Sequence, residues 1–140
     1  MEKYRKYLGR KHDYLKTNCI TLIADIYEKE LQRDDFKKLW EYLGIHDGHP
    51  EQKSRWWKHL KLKKLFEFTS KHTQKVENIT DLQEYDVIIF ATRRNIPIHF
   101  GMYIGQNMMI HLEEESVTKI DMLNDTWRGN IHSVYRRKMV

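Results

Sequence analysis

The chain is expected to fold as an α+β domain, with N-terminal helices packed on a C-terminal antiparallel β-sheet. Two observations carry this. Apolar residues recur at helical spacing through the first half, and the pattern changes near residue 66 to short alternating or β-branched runs. At 140 residues, with 40% hydrophobic and 12% aromatic content, the chain has the size and composition of one domain with a real core.

Residues 1–8 suit a short helix or turn. Thr17 and Asn18 are capping residue types, and Ile20, Ile23, Ile26, Tyr27 and Leu31 follow with helical periodicity, which predicts a helix over 18–31. Asp34-Asp35 reads as the cap of a second helix with Phe36, Leu39, Trp40 and Leu43 on one face, and Gly44 as its stop. The loop Ile45-His46-Asp47-Gly48-His49-Pro50 has a metal-like composition, but its spacing matches no common closed site, so no metal is assigned. Residues 51–66 return to a helical pattern around Trp56, Trp57, Leu60, Leu62 and Leu65. Trp56-Trp57, flanked by Arg55 and Lys58, suits stacking on sugars or bases, but the favoured reading puts one ring in the core and the other as a half-exposed lid over a cleft.

In the second half, Phe66–Thr69 reads as a short strand and Asp86–Ala91 as the clearest buried one. His99–Ile104 alternates, Gly105-Gln106-Asn107 makes a turn, and Met108–Leu112 returns. Glu113–Glu115 reads as a solvated bend, Val117–Ile120 as a strand, Leu123–Trp127 as a short helix and Ile131–Arg136 as the last strand.

Cys19 is the only cysteine, so an intramolecular disulfide is excluded. At the start of a helix its thiol faces the positive end of the dipole, which favours the thiolate below the reference pKa of about 8.5. Of eight histidines, His99 and His111 lie in the two best strand patterns and flank a hairpin turn. A helix-start thiol and two strand imidazoles suit a nucleophile, a base and an orienter. A single cysteine is also commonly just a small buried hydrophobe.

The net charge is +5, with Lys and Arg concentrated at 3–16, 53–64 and 136–138. Such a surface suits a polyanion or is simply that of a basic domain, and no motif points to specific nucleic-acid binding. No stretch is long and apolar enough to span a bilayer, and no apolar signal segment follows the charged start, so synthesis in a cytoplasm without export by a signal peptide is expected.

In sequence order the chain resembles the NlpC/P60 cysteine peptidases, which have a papain-like α+β fold. The stretches that carry the resemblance are Tyr85-Asp86-Val87-Ile88-Ile89-Phe90, His99-Phe100-Gly101-Met102-Tyr103-Ile104-Gly105 and Met109-Ile110-His111-Leu112, together with Asn18-Cys19 and Tyr7-Leu8-Gly9 upstream. It implies that Cys19 is the nucleophile, His99 the general base and His111 the residue that orients it. The Cys19 N–H and the Tyr7 hydroxyl would serve the oxyanion, with Asn18 beside them. Asn18 stands where the family usually has aspartate, Thr21 where a glycine is common, and Glu84-Tyr85 replace a frequent Pro-Gly turn.

Cys19 and His99 are 80 residues apart, and the extra length is assigned to a basic, Trp-rich helical insertion at about 32–66 within a single domain spanning 1–140. That insertion would place Trp56 and Trp57 at the substrate cleft. The implied activity is hydrolysis of amide bonds in peptidoglycan stem peptides, next to a D-γ-glutamyl residue and without a cofactor. Phage tail or baseplate proteins are the implied partners, and the virion tail the implied site of action. The alternatives are a non-catalytic assembly module on the same fold and, less well supported, acyl or lipid transfer.

Overall fold

The computed structural model describes residues 2–13, 16–43, 67–68, 70–71, 73–91, 97–113 and 116–138. A 3-10 helix, Glu2–Tyr7, leads into α1 (Cys19–Leu31) and α2 (Asp35–Leu43). Six strands follow: β1 (Thr73–Lys75), β2 (Val87–Ala91), β3 (Pro97–Gly105), β4 (Met108–His111), β5 (Lys119–Met122) and β6 (Ile131–Arg137). A short helix, α3 (Asp125–Arg128), sits between β5 and β6. The sheet order is β1-β6-β2-β3-β4-β5, and every neighbouring pair is antiparallel.

Strand alternation divides the core into two layers. Val87, Ile89, Phe100, Met102, Ile104, Ile110 and Tyr135 pack with Ile20, Leu22, Ile23, Ile26 and Tyr27 of α1 and with Phe36 and Leu39 of α2. On the other face, Ile88, Phe90, Met109 and Val134 pack with Leu123, Trp127 and Ile131. This is why β2 reads as an unbroken apolar run. It is central, both of its faces are covered, and its residues 87–90 are all buried. The ends of β2 and β6 are joined by Arg136, whose guanidinium makes a forked pair with the fully buried Asp86 at 2.9 and 2.8 Å.

The β3–β4 turn has Gln106 and Asn107 at φ of 53° and 61°. Positive φ at both central residues is the type I′ geometry that matches strand twist in two-residue hairpins. This turn is tied to the region of α3. Leu123 N–H donates to the Asn107 carbonyl (2.8 Å), and Arg128 donates to Asn107 Oδ1 (2.6 Å).

Three strand-region expectations are corrected. Residues 67 and 68, expected as strand, are helical, with Phe68 buried. The strand expected at 117–120 is β5 at 119–122, because Val117 and Thr118 pair instead with the N-terminal segment at Lys11 and Arg10. The strand β1 was not expected, since Thr-Gln-Lys carries no apolar alternation. The His46–His49 loop, Trp56, Trp57 and most of the proposed insertion lie outside the described residues.

Candidate active site

Cys19 is the first residue of α1, partly buried against the core. The helix start is closed by a reciprocal cap. Asn18 Oδ1 accepts from the N–H groups of Ile20 and Thr21, both at 3.0 Å, while Thr21 Oγ1 accepts from Asn18 N–H at 2.8 Å. Asn18 is itself buried, so its carboxamide oxygen serves the cap. Thr21, at a position where glycine is common in the sequences this chain resembles, is the other half of that cap.

The two histidines come together across the sheet. His99 on β3 pairs with Phe90 of β2, and His111 on β4 pairs with Gly101 of β3, which puts both side chains on the α3 face. His99 Nε2 lies 2.8 Å from His111 Nδ1. The contact continues: His111 Nε2 lies 2.7 Å from Oδ2 of Asp121 on β5. Asp121 was missing from the sequence-based site. The only signal for it is that Asp121 pairs with Met109, the residue two before His111 on the same face.

An aromatic wall holds the rings. Trp127 of α3 lies 5.9 Å from His99 and 5.0 Å from His111 between ring centroids, and Phe90 lies 5.9 Å from His99 in a stacked arrangement. The cap Asn124 fixes Trp127, whose N–H it accepts at 3.0 Å. His111 is fully buried, and this desolvation pushes its imidazole below the usual histidine pKa despite the opposing pull of Asp121.

Tyr7, expected as a second oxyanion donor, is placed elsewhere. It is fully buried and its hydroxyl donates to Glu30 at 2.6 Å, eleven residues along α1 from Cys19, a rise of about 16 Å. Burial first, and the Glu30 bond second, push its phenol above the usual tyrosine range.

Among the described residues, one set of donors has metal-like proximity: His111, Glu113 and Asp121, within 4.8 Å of one another. Lys119 Nζ sits 3.1 Å from Glu113 and 3.8 Å from Asp121, and His111 already engages both ring nitrogens. The arrangement is therefore that of a hydrogen-bonded relay balanced by an ammonium.

A capped helix start bearing a cysteine, and a sheet bearing linked histidines, define a papain-like α+β protein. The NlpC/P60 family model matches residues 4–136, and the chain belongs to that family. It is 22% identical over 130 residues to tail tip assembly protein K of Escherichia phage lambda, covering 93% of this chain and 58% of that protein. Among solved structures, a lipoprotein-like NLP/P60 family protein from Staphylococcus aureus subsp. aureus Mu50 superposes with a TM-score of 0.57 at 17% identity, covering 100% of this chain and 40% of that one. NlpC2 from Trichomonas vaginalis superposes with a TM-score of 0.59 at 16% identity, covering 97% and 45%. The chain thus spans only part of each of these relatives. A phage tail protein is among its relatives. Among the described residues no helix is long and apolar enough to cross a membrane.

Proposed function

We propose that the chain is a thiol hydrolase of amide bonds in peptidoglycan stem peptides, acting in association with a phage tail. The observation that carries this reading is the direct His99–His111 hydrogen bond, which gives a base and its orienter on one rigid sheet. Cys19 supplies the nucleophile from the other layer, at the end of a helix packed against β3. The reading requires its sulfur to meet His99 Nδ1 at the end of the sheet.

The chemistry then follows. The Cys19 thiolate attacks the scissile carbonyl, and the Cys19 N–H stabilises the oxyanion. The His99 imidazolium protonates the leaving amine, and the bond from carbon to nitrogen breaks to leave a thioester. Water, deprotonated by His99, attacks the thioester carbonyl, and the carboxylate product departs as the thiol is restored. Trp56 and Trp57, in the insertion at about 32–66, are assigned to the substrate cleft, and the +5 charge favours an anionic wall.

The direct test is stem-peptide hydrolysis by the parent and by Cys19→Ala. Hydrolysis by the parent and loss of at least about 100-fold in the variant, with unchanged thermal unfolding, is expected. Undiminished hydrolysis by Cys19→Ala would contradict the nucleophile assignment. The lambda relative, a tail tip assembly protein, favours a second reading, an assembly module of the tail tip. That reading predicts that Cys19→Ala leaves tail formation and infection intact.

A further inference from the structure

We infer that Asp121 is a positioning residue that acts through His111 to set the tautomer of His99. The inference rests on the proposed role of His99 as base, and it is argued from the line Asp121 Oδ2, His111 Nε2, His111 Nδ1, His99 Nε2, with contacts of 2.7 and 2.8 Å.

A carboxylate can only accept, so His111 must carry its proton on Nε2 to make the first bond. His111 is fully buried, which disfavours a second ring proton, so its Nδ1 is left as an acceptor. The second bond then requires His99 to donate from Nε2. The lone pair of His99 is thereby placed on Nδ1, the atom left to face a thiol. One carboxylate, two rings away, dictates where the base is basic. Once His99 takes the thiol proton, the same negative charge stabilises the resulting imidazolium, and Asp121 itself takes no proton.

The surroundings of His111 are consistent with this. Asp121 and Lys119 face it from β5, Glu113 from beyond β4, His99 from β3 and the Trp127 ring from α3. Lys119 Nζ lies 3.1 Å from Glu113 and 3.8 Å from Asp121 Oδ2, the oxygen that contacts His111. Asp121 is partly exposed on the edge strand, so replacing it with an isosteric amide is compatible with the fold.

Asp121→Asn is the informative change, because a carboxamide can donate to His111 Nε2 and so reverse both bonds. Long-range proton–nitrogen spectra of the imidazoles, recorded near about pH 7.5 on the Cys19→Ala form of each protein so that no thiol proton reaches His99, read the tautomers directly. In the parent, both His99 and His111 are expected to carry the proton on Nε2. In Asp121→Asn, a population with the proton on Nδ1 is expected. The stem-peptide kcat should fall about 10-fold or more with KM little changed, and the pH midpoint of Cys19 alkylation should move up.

Asp121→Glu keeps the carboxylate and should retain the parent midpoint more closely than Asp121→Asn. A parent protein with His111 protonated on Nδ1 would overturn the inference, as would an Asp121→Asn variant with unchanged tautomers and an unchanged alkylation midpoint. The parent tautomers as derived, together with an ordinary thiol profile at Cys19, would support the relay while contradicting the proposed function.

Discussion

His111 has no solvent around it, so each ring nitrogen needs a protein partner, and the structure provides one on each side. Its pKa is lowered on folding from 6.5, chiefly by burial. The unfolded chain therefore binds a proton more readily than the folded one. The stabilising contribution of neutral His111 is present above about pH 6.5 and is lost as the pH falls from there through the lower folded value. The parent should lose melting temperature between about pH 7 and 5.5, above the range where carboxylates titrate, and His111→Asn should lose less over the same interval. Equal losses in the two proteins would contradict that assignment. At the same scale, the proposed roles predict that His111→Ala slows turnover less than His99→Ala, because removing an orienter leaves the base in place.

Secondary-structure elements show how the sheet shapes the site. Gly101 lies on β3 between His99 and the turn, paired with His111. A Cβ there would sit 3.0 Å from the Met109 sulfur, 3.3 Å from Phe90 Cε2 and 3.6 Å from His111 Cβ. Methionine can move, but Phe90 is buried and stacked on His99, so the strain falls on the relay. Gly101→Ala should cost about 1–3 kcal/mol in chemical denaturation and should displace the His99 and His111 imidazole resonances together. Parent-like stability with unmoved resonances would show that the packing on this face is looser than described.

Elements with a local cause were legible in the sequence. The helix after Asn18 has a cap and an apolar stripe, and β2 through β4 have β-branched runs and a turn with glycine beside it. What was not legible depends on distant partners. Val117 and Thr118 look like strand, but Arg10 and Lys11 claim their backbone groups before β4 can. The strand β1 exists because β6 has an open edge, and its own residues do not announce it. Asp121 has no local signature either, and becomes visible only once β5 is laid beside β4.

At the scale of the whole molecule, the two layers have different tasks. The helical layer presents Cys19 at a capped helix start, and the sheet carries His99, His111 and Asp121 under Trp127. The histidine pair and its two supporting aromatics were partly legible, since Phe90, His99 and His111 lie in the stretches that resemble NlpC/P60 sequences and Trp127 ends the expected short helix. The place of Tyr7 was not, because Glu30 captures its hydroxyl through a helix turn far from Cys19.

The central claim is that the layers cooperate, so that a thiol on one is activated by an imidazole on the other. The rate of Cys19 alkylation against pH, in the parent and in His99→Ala, tests it most directly. The account predicts rapid labelling of the parent well below about pH 8.5 and an ordinary thiol profile in His99→Ala. The same ordinary profile in both proteins would contradict it.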